Sequence, residues 1–212
     1  IIYLIKKKYE RKILLNKIII NIKYYYYKMK IIFTPSIKLF SCVHISALVF
    51  FFFFGYEGYL HYLFITLGYI AQTYIEFASH YYLFHGPFWK FHKKHHLEPT
   101  NHGHLLVPFA YSIPGLMITH SCYYTFLPLR TTFSFMTGTQ LSYLFFEYIH
   151  YISHKRPKHL VYILKIPFVK DLLLAHKKHH YRNGKLLKDT NDDFKNYGFT
   201  TLYWDKLYDT YE

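Results

Sequence analysis

Ten of the sixteen histidines of this chain fall into four clusters with the spacing of metal ligands. The clusters are His80 and His85; His92, His95 and His96; His150 and His154; and His176, His179 and His180. Imidazole is the commonest protein ligand for borderline metals, and it is largely neutral, as binding requires, near physiological pH. The sequence therefore predicts a histidine-ligated metal site.

Helix geometry indicates how these rings can converge. Residues three and four apart lie on one face of a helix, so the H-x-x-H-H clusters at 92–96 and 176–180 can each direct three rings at one point. His80 and His85 are five residues apart, about 140° round an ideal helix, and a helix end or a bend must bring them together. Because a tetrahedral ion takes about four ligands, so many imidazoles favour two metal ions held close together.

The other histidines have weaker assignments. A single histidine is more often a surface or packed core residue than a ligand. We expect packing or interfacial roles for His44, His61 and His120, which lie in or beside apolar runs. His102 and His104 follow the second cluster and are candidates to support the ligands or to contact substrate.

Four apolar runs approach the length of a membrane span, which is about 20 helical residues. They are Leu39–Tyr56, Tyr59–Ala78, Leu105–Tyr124 and Thr132–Ile149. Pro108 and Pro114 interrupt the third run, but membrane helices tolerate proline. We predict an all-α integral membrane bundle of about four transmembrane helices with a cytosolic histidine-rich helical cap; the alternative is an all-α soluble core.

The distribution of charge supports two helical hairpins. Lys and Arg precede the first run, lie at Lys90–Lys94 between the second and third, and follow the fourth from Lys155 to Lys158. The turns inside the pairs carry only Glu57 and Arg130. Since basic flanks stay on the cytoplasmic side, both termini and all four clusters are expected in the cytosol.

The N-terminal segment differs in composition from the rest of the chain. We divide the chain into a basic segment, residues 1–36, and a membrane domain, residues 37–212. Residues 1–28 precede the first methionine, Met29, and we expect them to be upstream or fragment sequence; a basic segment drawn to anionic lipid is the alternative. Much of the net charge of +14 lies there without a nucleic-acid motif, so no nucleic-acid partner is expected.

The series H-x4-H, H-x2-H-H, H-x3-H, H-x2-H-H resembles the membrane fatty acid hydroxylase and sterol desaturase superfamily. The resemblance covers roughly Tyr69 to Tyr211. The tail Asn196–Thr210, NYGFTTLYWDKLYDT, is similar to the family ending N-F-G-x-T-x-x-x-W-D-x-x-F-x-T. With Tyr143–His154 it most resembles the fatty acid 2-hydroxylases, which hydroxylate the carbon next to an acyl carboxyl group. His80–His96 also looks like the carotenoid 3-hydroxylases.

The resemblance implies that all ten clustered histidines bind metal. It implies two iron ions, which zinc can replace in purified protein, and dioxygen as co-substrate. By the same resemblance the tail folds back over the metals, with Trp204 as an apolar lid or simply a packed residue and Asp205 as a hydrogen-bond anchor. Metal-bound histidines usually pass their second N–H to an oxygen acceptor, and Glu76 and Glu147 are the candidates here.

The favoured function is oxygen-dependent hydroxylation of a lipid acyl chain, at carbon 2 of a fatty acid or of a sphingolipid N-acyl chain, in the endoplasmic reticulum membrane. A carotenoid or sterol hydroxylase or desaturase is the first alternative. A non-enzymatic membrane metal-binding protein is less favoured, because transporter sites lie near the bilayer midplane, whereas these clusters lie at the ends of apolar runs.

The electrons for such a reaction need a separate donor. The sequence has no H-P-G-G haem signature and no G-x-G-x-x-G dinucleotide motif. We expect a carrier such as cytochrome b5 with its reductase, because an acidic carrier would be attracted to the basic residues around the clusters. Those residues are Lys90, Lys93, Lys94, Lys155, Arg156, Lys177 and Lys178.

Overall fold

The computed structural model describes residues 16–20, 36–55, 58–160 and 162–212, and most of them are helical. The helices are α1 (16–20), α2 (Ile37–Phe54), α3 (Tyr59–Ala78), α4 (Trp89–Leu97), α5 (Phe109–Phe126), α6 (Leu129–Lys155), α7 (Pro167–His180) and α8 (Tyr203–Leu207). A π-helix spans Ser79–Phe84, and short 3-10 turns span His102–His104, Lys158–Leu160 and Ile163–Lys165. One antiparallel hairpin pairs β1 (Tyr181–Arg182) with β2 (Lys185–Leu186). The predominantly helical class is confirmed, while the prediction for residues 1–28 falls almost entirely outside the described residues.

Helices α3 and α6 form the frame of the fold, and both run in the same direction. His61 bonds to Ser134 near the start of α3, while the Gly68 carbonyl accepts a bond from Thr139 further along. The helices approach closely because each presents a glycine to the backbone of the other. A Cβ atom at Gly138 would lie 1.9 Å from the carbonyl oxygen of Ile65. Glycine has no side chain, so the backbones of the two helices can lie in contact. The carboxyl ends of α3 and α6 are thereby held side by side.

Helices α2 and α5 pack on this frame and run antiparallel to α6. His44 on α2 bonds to Gln140 on α6 at 2.8 Å, and Phe40 packs in a buried cluster with Tyr143 and Leu144. On α5, Tyr123 contacts Phe135 of α6. Within the described residues, one helix, α2, is long and apolar enough by composition to cross a bilayer.

The boundaries of the predicted runs are close to those of the helices. Helix α3 coincides with the predicted Tyr59–Ala78 run, and α6 extends beyond Ile149 to Lys155, so His150 and His154 lie on the same helix. Beyond α3 the chain continues as a π-helix, in which the His85 N–H bonds to the His80 carbonyl five residues back at 3.1 Å. This wider turn is the departure from an ideal helix that the five-residue spacing of His80 and His85 required.

A layer of short elements covers the carboxyl ends of α3 and α6. Helices α4 and α7 carry the two H-x-x-H-H clusters, and the segment from β2 to the end of α8 packs beside them. A buried cluster joins this layer to α3, and its members are Phe77, Trp89, Leu187, Phe194 and Tyr197. The predicted histidine-rich helical cap is therefore present at the end of the α3–α6 frame.

Candidate metal centre

The four histidine clusters converge on two groups of imidazoles. The first group is His80, His85, His92, His96 and His179, and the second is His95, His154, His176 and His180. In each group, one ring nitrogen of every residue lies within 4.8 Å of those of the others. His150 adjoins the second group, since its Nε2 lies 3.0 Å from Nε2 of His95. All ten predicted residues therefore meet at this end of the frame.

Each H-x-x-H-H cluster is divided between the two groups, so the expectation that three rings of one cluster aim at one point was wrong. His92 and His96 face the first group while His95 faces the second; on α7 the pattern is reversed, with His179 in the first group. The cause is helix geometry. Positions i and i+4 diverge by about 40°, whereas i+3 lies about 60° round the other way. Helices α4 and α7 therefore each contribute to both groups and hold the groups next to each other.

The ring nitrogens are spaced as ligands around a metal ion are. In the first group, Nε2 of His92 lies 3.0 Å from Nε2 of His80 and 3.2 Å from Nε2 of His96. In the second group, Nε2 atoms of His154 and His176 are 2.7 Å apart. Metal–nitrogen bonds of about 2.0–2.1 Å place neighbouring ligand atoms roughly 3 Å apart, so the donor set fits a metal ion in each group.

Backbone carbonyls hold the outer ring nitrogens of three of the five histidines in the first group. Nδ1 of His80 donates to the Tyr197 carbonyl at 2.7 Å, and Nδ1 of His179 donates to the Lys195 carbonyl at 2.8 Å. His96 makes the same kind of bond. A carbonyl only accepts, so the proton lies on Nδ1 and the Nε2 lone pair faces the group. Lone pairs that converge in this way repel each other unless a cation lies between them.

Burial keeps these rings neutral. Desolvation lowers the pKa of His80 to about 4, the pKa of His154 to about 4 and the pKa of His96 to about 3. The pKa of His179 is also far below its usual value, first because of burial and then because of neighbouring histidines. At physiological pH the rings are therefore unprotonated and able to bind metal.

Comparison with known proteins identifies the family of this fold and site. Residues 65–210 match the family model for fatty acid hydroxylases. The chain belongs to the fatty acid hydroxylase family. The matched range agrees with the extent of the resemblance seen in the sequence, from Tyr69 to Tyr211.

The curated relatives are named as hydroxylases of ceramide fatty acids or of dihydroceramide fatty acyl chains, which confirms the predicted resemblance to the 2-hydroxylase branch. The ceramide very long chain fatty acid hydroxylase scs7 of Schizosaccharomyces pombe is 26% identical over 164 residues, which are 69% of this chain and 42% of the relative. The SCS7 protein of Saccharomyces cerevisiae, with the same description, is 24% identical over 68% of this chain and 37% of its own. The dihydroceramide fatty acyl 2-hydroxylase FAH2 of Arabidopsis thaliana is 25% identical, over 70% of this chain and 60% of the relative.

The fold is shared with a solved structure of full-length scs7p in which only the hydroxylase domain is visible. The TM-score is 0.68 at 19% identity, over 85% of this chain and 68% of that chain. This chain spans only about 40% of the length of either yeast relative, so the comparison concerns the hydroxylase fold.

The two carboxylates predicted to support the ligands hold backbone and hydroxyl groups in the structure. Glu76 accepts bonds from the backbone of Phe199 and Thr200, and Glu147 accepts from Val107 and Tyr143. In the described part of the chain neither carboxylate bonds to an imidazole. Backbone carbonyls accept the Nδ1–H groups of His80, His96 and His179 instead, and sequence reasoning missed them because a backbone acceptor has no residue signature.

The residues of the tail also divide into anchors and packing groups. Asp205 is fully buried and accepts bonds from the backbone of Tyr197 and Gly198, as a hydrogen-bond anchor does. Trp204 contacts Thr73 and Tyr74, which is the packing role. Several apolar rings pack against the imidazoles. Phe199, which was not predicted for this role, is the one that touches both groups: its centroid is 5.1 Å from that of His80 and 4.6 Å from that of His176. Phe194 lies 4.3 Å from His85 in the first group.

The remaining histidines lie outside both groups where they are described. His44 bonds to Gln140, His61 bonds to Ser134, and His120 packs against Phe51, as expected for packing residues. His104 is partly buried in a 3-10 turn and belongs to neither group. The side chains of His102 and His159 lie outside the described part of the structure.

Proposed function

We propose that this chain catalyses the oxygen-dependent hydroxylation of a lipid acyl chain at carbon 2, with the N-acyl chain of a sphingolipid as substrate. The convergence of ten neutral imidazoles on two adjacent points, within a fatty acid hydroxylase fold, carries this proposal. Relatives whose names give their substrates act on ceramide or dihydroceramide, which supports the substrate class.

The ten histidines are proposed as the metal ligands. One metal is assigned to the first group, and the other is assigned to the second group together with His150. Iron is chosen by membership of the family, because imidazole suits zinc, copper and iron alike. Bound iron would supply, with dioxygen, the oxidising power that cleavage of an unactivated C–H bond demands and that side chains lack.

The protein's own contribution is to orient these ligands and to keep water out. Helices α4 and α7 each supply ligands to both groups, which fixes the separation of the two metals. The carbonyls of Tyr197 and Lys195 fix the tautomers of His80 and His179. The Phe199 ring covers imidazoles of both groups and is itself almost fully buried, so the reacting carbon would meet an apolar wall.

The bundle is proposed to cross the membrane four times, through α2, α3, α5 and most of α6. Large apolar side chains are exposed on all four of these helices, including Phe53 at 77%, Tyr62 at 65%, Phe126 at 83% and Leu141 at 44%. An apolar exterior of this kind is typical of a surface that contacts lipid. The basic residues that adjoin the ligands support a cytosolic position for the metal centre, and we assign the protein to the endoplasmic reticulum.

A separate electron donor, such as cytochrome b5 with its reductase, is proposed to dock on the basic side of the cap. Lys90 and Lys94 are exposed on α4, and Lys177 and Lys178 are exposed on α7, directly beside the proposed ligands. Positive charge at this place would steer an acidic carrier to the metal centre.

Lipid analysis of cells tests this function. The chain is expressed in a host that lacks its own acyl 2-hydroxylase, beside the His95→Ala variant at equal protein level. The proposal predicts 2-hydroxy N-acyl sphingolipids with the native chain and none with His95→Ala. Hydroxylated sterols or carotenoids in place of 2-hydroxy acyl chains would overturn the substrate assignment, and equal product from the variant would overturn the metal mechanism.

A further inference from the structure

Two buried carboxylates hold four consecutive backbone N–H groups beside the first histidine group. Asp205 on α8 accepts from Tyr197 at 2.7 Å and from Gly198 at 2.8 Å. Glu76 on α3 accepts from Phe199 at 2.5 Å and from Thr200 at 3.3 Å. We call Glu76 and Asp205 the carboxylate clasp.

Both carboxylates of the clasp are buried, and hydrogen bonds satisfy them. Glu76 is only 7% exposed and Asp205 is fully buried, and buried carboxylates destabilise a protein unless hydrogen bonds satisfy them. Each carboxylate accepts a further bond, Asp205 from the Thr210 hydroxyl at 2.8 Å and Glu76 from the Thr200 hydroxyl at 2.6 Å. The backbone between residues 197 and 200 is therefore fixed from two sides, by a helix of the frame and by the helix that ends the tail.

The held segment leads directly to the proposed ligands. The Tyr197 carbonyl, in the first residue of the clasped stretch, accepts from Nδ1 of His80. The Lys195 carbonyl, two residues earlier, accepts from Nδ1 of His179. Both histidines belong to the first group, so displacement of this segment would release the orientation of two of its five rings.

The second group touches the C-terminal segment by packing, since the Phe199 ring lies 4.6 Å from the ring of His176 between centroids, but it lacks the hydrogen bonds to backbone carbonyls. Nδ1 atoms of His95, His176 and His180 are buried and have no hydrogen-bond partner within the described part of the chain. Hydrogen bonds to the outer nitrogen of a metal-bound histidine orient the ring and raise its basicity. The two groups therefore differ in how far the C-terminal segment supports them.

We infer that the carboxylate clasp orients ligands of the first metal through backbone carbonyl hydrogen bonds that the ligands of the second metal lack, so that the two metals depend unequally on the C-terminal segment. The inference rests on the proposed two-metal function. Glu76 and Asp205 act here as positioning residues, through the carbonyls of Tyr197 and Lys195.

Metal counting on the full chain tests this inference. Wild type and the Asp205→Asn variant, purified in detergent, are equilibrated with zinc at a series of buffered free concentrations, and bound zinc per chain is measured by mass spectrometry of the metal. Asparagine keeps the size of aspartate but turns an N–H donor toward a backbone N–H. Loss of such outer support typically lowers metal affinity by about 10–100-fold, so we expect one zinc to be lost at concentrations that keep two on the wild type.

Paired variants identify which zinc is lost. His179→Ala removes a ligand of the first group, and His180→Ala removes one of the second. Asp205→Asn combined with His179→Ala should still retain one zinc, whereas its combination with His180→Ala should retain none. With cobalt(II) in place of zinc, the visible absorption lost in Asp205→Asn should match the absorption lost in His179→Ala.

Trp204→Phe is the matched control for a merely structural role. It removes the bond from Trp204 to Thr73, which also fastens the tail, but it leaves the clasp intact. This variant should keep both zinc ions even where its thermal midpoint falls. Loss of one zinc from Trp204→Phe would overturn the inference, since general loosening of the tail would then be sufficient.

Other outcomes separate the inference from the proposed function. Retention of both zinc ions by Asp205→Asn, or by Glu76→Gln should the first variant not fold, would overturn the positioning role alone. Wild-type protein that binds fewer than two zinc ions, or ligand variants that lose none, would overturn the two-metal function itself.

Discussion

Substitution of Gly138 by alanine should force the two frame helices apart. The added Cβ atom would lie 1.9 Å from the Ile65 carbonyl oxygen and 2.7 Å from the Tyr69 nitrogen. Both neighbours are backbone atoms, so no rotamer change relieves the overlap. Real Cβ contacts begin at 3.0 Å, so α3 and α6 would separate by at least 3.0 − 1.9 = 1.1 Å at this point.

The expected loss of stability follows from that overlap. Overpacking of a well-packed interface costs about 1–3 kcal/mol, and the bond from Thr139 to the Gly68 carbonyl, already 3.4 Å long, would be broken. For a chain of this size, each kcal/mol lowers the unfolding midpoint by about 2–4 °C, so a decrease of roughly 2–12 °C is expected. The carboxyl ends of α3 and α6 position His80 and His150. Metal content should therefore fall together with the unfolding midpoint.

Thermal unfolding of purified protein in detergent measures this change, and Gly115→Ala is the matched control. Gly115 also lies within a helix, α5, but a Cβ placed there meets no described atom within 4 Å apart from its chain neighbours and the nearby backbone of its own helix. That exchange removes the entropic cost of a helical glycine, about 0.5–1 kcal/mol, and should leave the midpoint unchanged or slightly higher. Equal midpoints for Gly138→Ala and Gly115→Ala would refute the close approach of the helices.

Three further results are expected. His179→Ala should abolish product formation and reduce metal content while sparing membrane insertion, whereas His120→Ala, whose ring packs on Phe51, should be nearly silent in both assays; the reverse pattern would refute the ligand assignment. Purified protein with iron and lipid alone should be inactive until cytochrome b5, its reductase and a nicotinamide donor are added, with a rate that falls as salt rises, and sustained turnover without a carrier would refute a separate donor. Finally, the pKa values of His80 and His154 are about 4 in the folded protein and 6.5 in the unfolded chain. Unfolding therefore takes up protons at any pH between about 4 and 6.5. The thermal midpoint of metal-free protein should therefore fall as pH decreases from 7 toward 4, and a constant midpoint from pH 7 to pH 5 would contradict this.

The sequence predicted the helices well because apolar runs and proline positions are local signals. The third run was predicted from Leu105, but α5 begins at Phe109, immediately after Pro108. The residue before a proline disfavours the helical conformation, so the helix cannot begin before Pro108 and starts directly after it. Helix α6 was predicted too short, because its last turns carry histidines that pack against the other clustered imidazoles, which hydropathy does not register.

The sequence predicted which histidines come together, but not how they are divided between the two groups or which groups orient them. The ten histidines were identified from spacing alone, and the 40° and 60° offsets of an ideal helix could have assigned His95 and His179 to the opposite group from their neighbours. The carbonyls of Lys195 and Tyr197 could not be found in this way, because every residue has a carbonyl and only the tertiary fold selects which ones meet a ring nitrogen.

Isotope labelling of the product provides the decisive measurement. Purified protein supplied with iron, the cytochrome b5 electron chain and a ceramide with a saturated N-acyl chain is allowed to react under dioxygen labelled with oxygen-18, and the acyl chain is analysed by mass spectrometry. The proposed function predicts one labelled oxygen at carbon 2, in an amount that depends on added iron. An unlabelled hydroxyl, a label at another carbon, or product formation that is independent of iron would contradict it.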